Sequence, residues 1–228
     1  MKNRTMIYAM LVLITLLLTI GEHAVAQMTE PVVPPESTVA VGDCKFKIKN
    51  MFNGEISIPQ HGDTGIKQGI YFLPDIGPKA SAVLRTFSLV CIDASEDKIG
   101  TQLDAKQING KWMQYNPWPN ENMPELMPFD PGARPRTVPL EGRNWTGIGL
   151  TVDSTTGDEE SRHRMFYFCL IHESHALCGA SPVQWLADRK KHNDLWKMKA
   201  ILESVEFVDA LPPTGSKPEG DPAQPSVQ

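Results

Sequence analysis

The residues whose types and spacing could do chemistry are concentrated in one short run, His172-Glu173-Ser174-His175. Two imidazoles on either side of a carboxylate could hold Zn²⁺ or Cu²⁺. The order H-E-S-H is not H-E-x-x-H, which needs a helix to bring both histidines to one face. Here the flanking runs, 164–171 and 175–180, read as two strands of a hairpin, and no third ligand is evident. The reading adopted is an exposed polar turn, with His172 and His175 as a minor metal alternative. Nucleophilic catalysis has no stronger signal. No G-x-S-x-G is present, and Ser174 and Ser181 lie near histidines only in sequence. Gly62, Gly65 and Gly69 lack the Lys-Ser/Thr ending and the helix of a phosphate loop. Asp153, Asp158, Glu159 and Glu160 make an acidic patch at no Ca²⁺-loop spacing, and a solvated turn is expected. Asn144-Trp145-Thr146 fits the N-glycosylation pattern, which matters only in a eukaryotic secretory pathway. No cofactor is called for.

Cys44, Cys91, Cys169 and Cys178 are best read from their compartment. Lys2 and Arg4, an apolar run from Ile7 to Ile20, and Ala24-Val25-Ala26 have the three-part layout of a signal peptide cut after Ala26. The apolar run falls short of the roughly 20 residues of a membrane-spanning helix, and no later stretch is apolar enough to span. The protein is therefore expected in the periplasm or secreted, where four cysteines form two disulfides. If Glu173-Ser174 is a two-residue turn, positions summing to 347 face each other, so Cys169 faces Cys178. Counting outward, that pair is not hydrogen-bonded, and such pairs bring Cα atoms to about 4.5 Å. Cys44 and Cys91 would form the second bridge. Glu-Ser is not a preferred tight-turn sequence, so a four-residue loop with the same sum stays open. A four-cysteine zinc site would need closer spacings and a C-x-x-C.

The elements that must position these groups read as follows. Residues 27–37 form a flexible N-terminal segment, 38–209 a single domain, and 210–228 a disordered Pro-rich tail. Strands are expected at 44–50, 55–58, 69–73, 83–93, 145–153, the hairpin, and 205–208. Residues 94–100 read as a polar turn. Asn193-Asp194 can cap a helix to about Glu203, with Leu195, Met198, Ile201 and Leu202 on one face. The fold expected is α+β: a mostly antiparallel sheet with one main C-terminal helix packed on one face.

Residues 111–143 hold Pro117, Pro119, Pro124, Pro128, Pro131, Pro135 and Pro139, with Trp112, Tyr115, Trp118 and Phe129 among them. That proline density argues for a long loop without regular structure, a kind often functional. The four aromatics form the candidate binding surface, since Trp and Tyr dominate interface energetics. The competing reading is that Trp112 and Trp118 plug a sheet edge.

The close of the domain, Ile201-Leu202-Glu203-Ser204-Val205-Glu206-Phe207 after a hairpin and a helix, resembles the end of the PsbP-like fold, with its S-x-x-F segment. The resemblance implies a small α/β sandwich used for binding or assembly. Exported bacterial proteins of this general design include toxin-immunity and envelope accessory proteins.

Charge narrows the partners. The chain carries 22 basic and 27 acidic side chains, a formal −5. The only short basic run is Arg189-Lys190-Lys191. A mildly acidic chain without a basic patch argues against nucleic acid and against electrostatic attachment to anionic lipid. The function expected is that of an exported, non-catalytic protein-binding protein, for example one neutralising a toxin in the periplasm. The alternatives are an envelope-acting hydrolase and a carbohydrate- or lipid-binding accessory module.

Overall fold

The computed structural model describes residues 35–59, 68–74, 83–187 and 193–208. The signal-peptide assignment (1–26), the tail (210–228), Gly62, Gly65 and the run at 189–191 lie outside these residues. Of the segment expected to be flexible, Glu36 and Ser37 already belong to a strand.

Seven strands form the central antiparallel sheet. They are β3 (Glu55–Ser57), β4 (Gln68–Phe72), β5 (Thr86–Asp93), β12 (His175–Trp185), β11 (His163–His172), β10 (Thr146–Asp153) and β9 (Arg136–Glu141), in that spatial order. A three-stranded sheet of β1 (Glu36–Val41), β2 (Cys44–Lys49) and β13 (Glu206–Phe207) accompanies it. A second three-stranded sheet comprises β6 (Ala105–Ile108), β7 (Lys111–Tyr115) and β8 (Leu126–Pro128). The α-helices among the described residues are α1 (Glu96–Gln102) and α2 (Leu195–Glu203).

This corrects the α+β expectation. The domain is β-rich, built from three antiparallel sheets, and α2 is one short helix of two. The stretch 111–143, expected to be irregular, carries β7, β8 and β9. Its prolines sit where a ladder tolerates them: Pro128 ends β8, and Pro139 lies on β9, the edge of the central sheet. The polar turn expected at 94–100 is mostly α1.

The central strands are covered on both faces, so their side chains are apolar in both phases of the alternation. Phe166, Phe168 and Leu170 of β11 join Leu177, Phe87 and Leu89 in the larger core, beneath β2, α2 and β13. Tyr167, Cys169 and Ile171 point the other way, toward Leu103, Ile99 and Trp112. Rings pack in pairs: Tyr71 stacks on Phe87 at 5.0 Å, and Phe46 tilts against Phe207 at 6.3 Å. At Gly179 the packing admits no side chain, because a Cβ would fall on the Ser88 carbonyl and the Phe168 ring. Helix α2 buries Met198, Ile201 and Leu202 as its sequence predicts, and Asn193 Oδ1 accepts from Leu195 N at 3.0 Å. Asn144 behaves like one more strand residue. Its side chain donates to Phe207 O (2.8 Å) and accepts from Phe207 N (3.0 Å), so the amide of the N-x-T sequence is committed to packing.

Two disulfides brace the fold, one within the central sheet and one between sheets. The hairpin has the register with His172 opposite His175 and Cys169 opposite Cys178, and the latter pair is bridged with Cα atoms 4.0 Å apart. Cys44–Cys91 joins the β1–β2–β13 sheet to the central sheet. Glu173 sits in the turn at φ 51°, which lets two residues reverse the chain without an Asn-Gly pair. The bridges close loops of very different length, with sequence separations of 47 and 9. On the chain-entropy model, replacing Cys44 and Cys91 by serine costs about 4 kcal/mol and replacing Cys169 and Cys178 about 2.5 kcal/mol. Urea unfolding of the two double variants checks both the size and the order of these losses.

Tyr71 is fully buried and donates to Met51 O (3.1 Å) and Lys49 O (3.3 Å). Burial pushes its phenol from the ordinary 10.0 up to about 12. The folded chain holds the proton more tightly than the unfolded one. Its contribution is therefore complete below pH 10 and lost as pH rises through about 12. The loss is about 2–3 kcal/mol, at 1.36 kcal/mol per unit. Phenolate absorbance should show this tyrosine ionising only with unfolding, and Tyr71→Phe should flatten that part of the alkaline profile.

Candidate binding site

An Asn109-Gly110 turn joins β6 to β7, both residues at positive φ (49° and 77°). Asn-Gly is the strongest short-range hairpin signal, and it is the cue in the sequence that would have placed strands inside the Pro-rich stretch. The connection from β7 to β8 is built from asparagine turns. Asn116 Oδ1 accepts from Trp118 N (3.0 Å), and Asn116 Nδ2 donates to Met123 O (3.1 Å). Asn120 Oδ1 accepts from both Asn122 N (2.9 Å) and Met123 N (3.0 Å). These bonds, with prolines at 117, 119 and 124, fix the loop while its largest side chain stays in solvent: Trp118 is 82% exposed.

Beneath Trp118 lies a crevice of about 340 Å³ between this small sheet and the central one. Tyr115, Trp118 and Phe129 line it, together with Met123, Met127 and Tyr167. Three of the four aromatics expected from the sequence thus converge on one concavity. Trp112 does not. It is half-buried, lines a separate cavity of about 230 Å³ beside Ile99 and Ile148, and donates from Nε1 to Thr137 Oγ1 at 2.8 Å. Trp112 is thus packed between the layers, whereas Trp118 stands in solvent.

The crevice also contains Asp104, held at φ 50° between α1 and β6. Burial raises its carboxyl above the usual aspartate range, partly offset by the Tyr167 hydroxyl, which donates to it. Burial and the neighbouring Asp104 charge push the Tyr167 phenol up to about 12. Lys106 lines the neighbouring cavity, bound to Asp97 (2.7 Å) and Glu125 (3.4 Å) and 4.8 Å from the Tyr115 ring centroid.

The other candidate groups have structural partners. His172 contacts Asn144 O through Nδ1 (2.7 Å) and stacks on Phe207 at 4.9 Å. His175 Nδ1 lies 3.2 Å from Ser174 Oγ. That serine–histidine contact was not expected, but it sits on the exposed hairpin tip, outside the described cavities. Ser181 donates to the Thr86 carbonyl at 3.0 Å. No group of three or more His, Cys, Asp or Glu able to hold a metal occurs among the described residues. Asp153 is not part of a surface patch. It is buried between Arg134 (2.7 Å) and Arg164 (2.6 Å). Glu159, Glu160 and Asp130 instead line an open cleft of about 760 Å³ with Arg134 and Arg162, where both signs of charge are interspersed. Its size exceeds that of the aromatic crevice, and the hydroxyls of Ser154 and Thr155 line it beside the charged groups.

No protein-family model matches this sequence, and no curated protein is significantly similar to it.

Proposed function

We propose that this is an exported, non-catalytic protein that binds another protein through the Trp118 face of the β6–β7–β8 sheet. The observation that carries the reading is Trp118, 82% exposed on a loop whose backbone is held by asparagine and proline. Tryptophan is enriched at protein interfaces, where a partner covers the apolar body of the indole. Fixing the loop beforehand lowers the ordering cost of binding. Neutralising a toxin delivered to the periplasm is one concrete form, in which shape complementarity does the work. Export is supported by the two disulfides, which persist in oxidising compartments. The test is capture from a cell-envelope extract of the native host. Wild-type chain should retain one protein at equal stoichiometry, Trp118→Ala should lose it, and the encoding gene should neighbour that of a toxin or secretion component. Retention of a glycan instead of a protein would favour the carbohydrate module, and turnover of envelope material the hydrolase.

A further inference from the structure

The crevice beneath Trp118 has a chemistry more specific than apolar shape. Its aromatic lining comes from Tyr115, Trp118, Phe129 and Tyr167, and its one charged lining side chain is Asp104. No lysine, arginine or histidine lines it. Lys106 lines the neighbouring cavity, engaged by Asp97 and Glu125, with its ammonium 4.8 Å from the Tyr115 ring centroid, so Trp118, Phe129 and Tyr167 are the rings left to an incoming cation. Aromatic faces carry negative quadrupoles, and rings around a carboxylate attract organic cations. A neutral apolar occupant would bury the Asp104 carboxylate without a counter-charge, which is costly. An anionic occupant would be repelled.

We infer that this crevice receives one organic cation on an apolar stem, the side chain of an arginine or lysine on the docking protein. The volume, about 340 Å³, is at the small end for ligand sites and suits a side chain. Met123 and Met127 offer thioether surface to the methylenes, and Asp104 with the rings receives the charged head. This rests on the protein-docking reading and specifies its partner: the contacting surface is basic, complementary to an acidic chain.

The test titrates the full chain with four blocked tripeptides, acetyl-Gly-X-Gly-amide with X arginine, lysine, norleucine or glutamate, and with tetramethylammonium. The indole N–H resonance of Trp118 and the methyl resonances of Met123 and Met127 are followed. Arginine or lysine should bind about tenfold more tightly than norleucine, and glutamate should not bind. Asp104→Asn should abolish that tenfold preference without unfolding the chain, because asparagine tolerates the left-handed backbone at φ 50°. Equal binding of norleucine, or an unchanged preference in Asp104→Asn, overturns the inference. So does tetramethylammonium binding tighter than any peptide, since the ligand would then be a free cation. If the peptides show no charge preference while Trp118→Ala still abolishes protein capture, only the cation assignment falls. If the preference holds while capture survives Trp118→Ala, the docking reading falls and takes the partner's side chain with it.

Discussion

Asp153→Ala lowers the stability of the fold by about 3–5 kcal/mol, the usual loss when one partner of a buried ion pair is removed. Its side chain is 1% exposed at the end of β10, and both oxygens are used. Arg164, opposite it on β11, donates from Nε (2.6 Å) and Nη2 (3.0 Å), and Arg134 adds a contact at 2.7 Å. Arg164 also reaches Gln184 of β12 at 3.1 Å, so one guanidinium links three adjacent strands. Without the carboxylate, Arg164 keeps a charge in a site where its side chain is only 19% exposed. The cost comes from stranding that charge more than from losing a favourable pair. The double variant Asp153→Leu/Arg164→Met should therefore lose less than the single one. Urea unfolding of both variants measures this. Equal or greater loss in the double variant would mean that packing or backbone geometry at this corner matters more than charge.

Trp118→Ala has the opposite profile. With 82% of the residue in solvent and no core contact to lose, stability should stay within about 0.5 kcal/mol of wild type. Partner affinity should fall at least 30-fold, since central tryptophans at interfaces contribute about 2–4 kcal/mol. Trp112→Ala provides the control. That indole packs on the disulfide layer and bonds Thr137, so its loss costs stability and leaves the face around Trp118 in place. A Trp112 variant that folds but cannot bind, beside a Trp118 variant that binds normally, would reverse the assignment.

Much of this was legible in the residues. The central strands show because both phases of their alternation are apolar, as in the run from Phe166 to Ile171. The hairpin register follows from one arithmetic constraint, which is why Cys169 could be set opposite Cys178. Helix α2 is legible from Leu195, Met198, Ile201 and Leu202. The remainder depends on partners distant in sequence. Strands β6 to β9 are short, and β8 and β9 carry prolines, which an edge position makes acceptable only once the sheet is known. Helix α1 is polar apart from Ile99 and carries Gly100, so its propensity is low and tertiary packing decides. Asp153 belongs by number with Asp158, Glu159 and Glu160, and nothing local reveals Arg134 and Arg164. Trp112 and Trp118 lie six positions apart in the same stretch, and only the pairing of β7 with β6 separates the one that packs from the one that is presented.

The central claim, that the Trp118 face docks another protein, is tested most directly by hydrogen–deuterium exchange on the stoichiometric complex recovered from the native cell envelope. The account predicts protection confined to residues 103–107 and 114–129, around Asp104 and Trp118. Protection centred on the cleft of Arg134 and Arg162, or on the His172–His175 turn, with 114–129 unchanged, would contradict it.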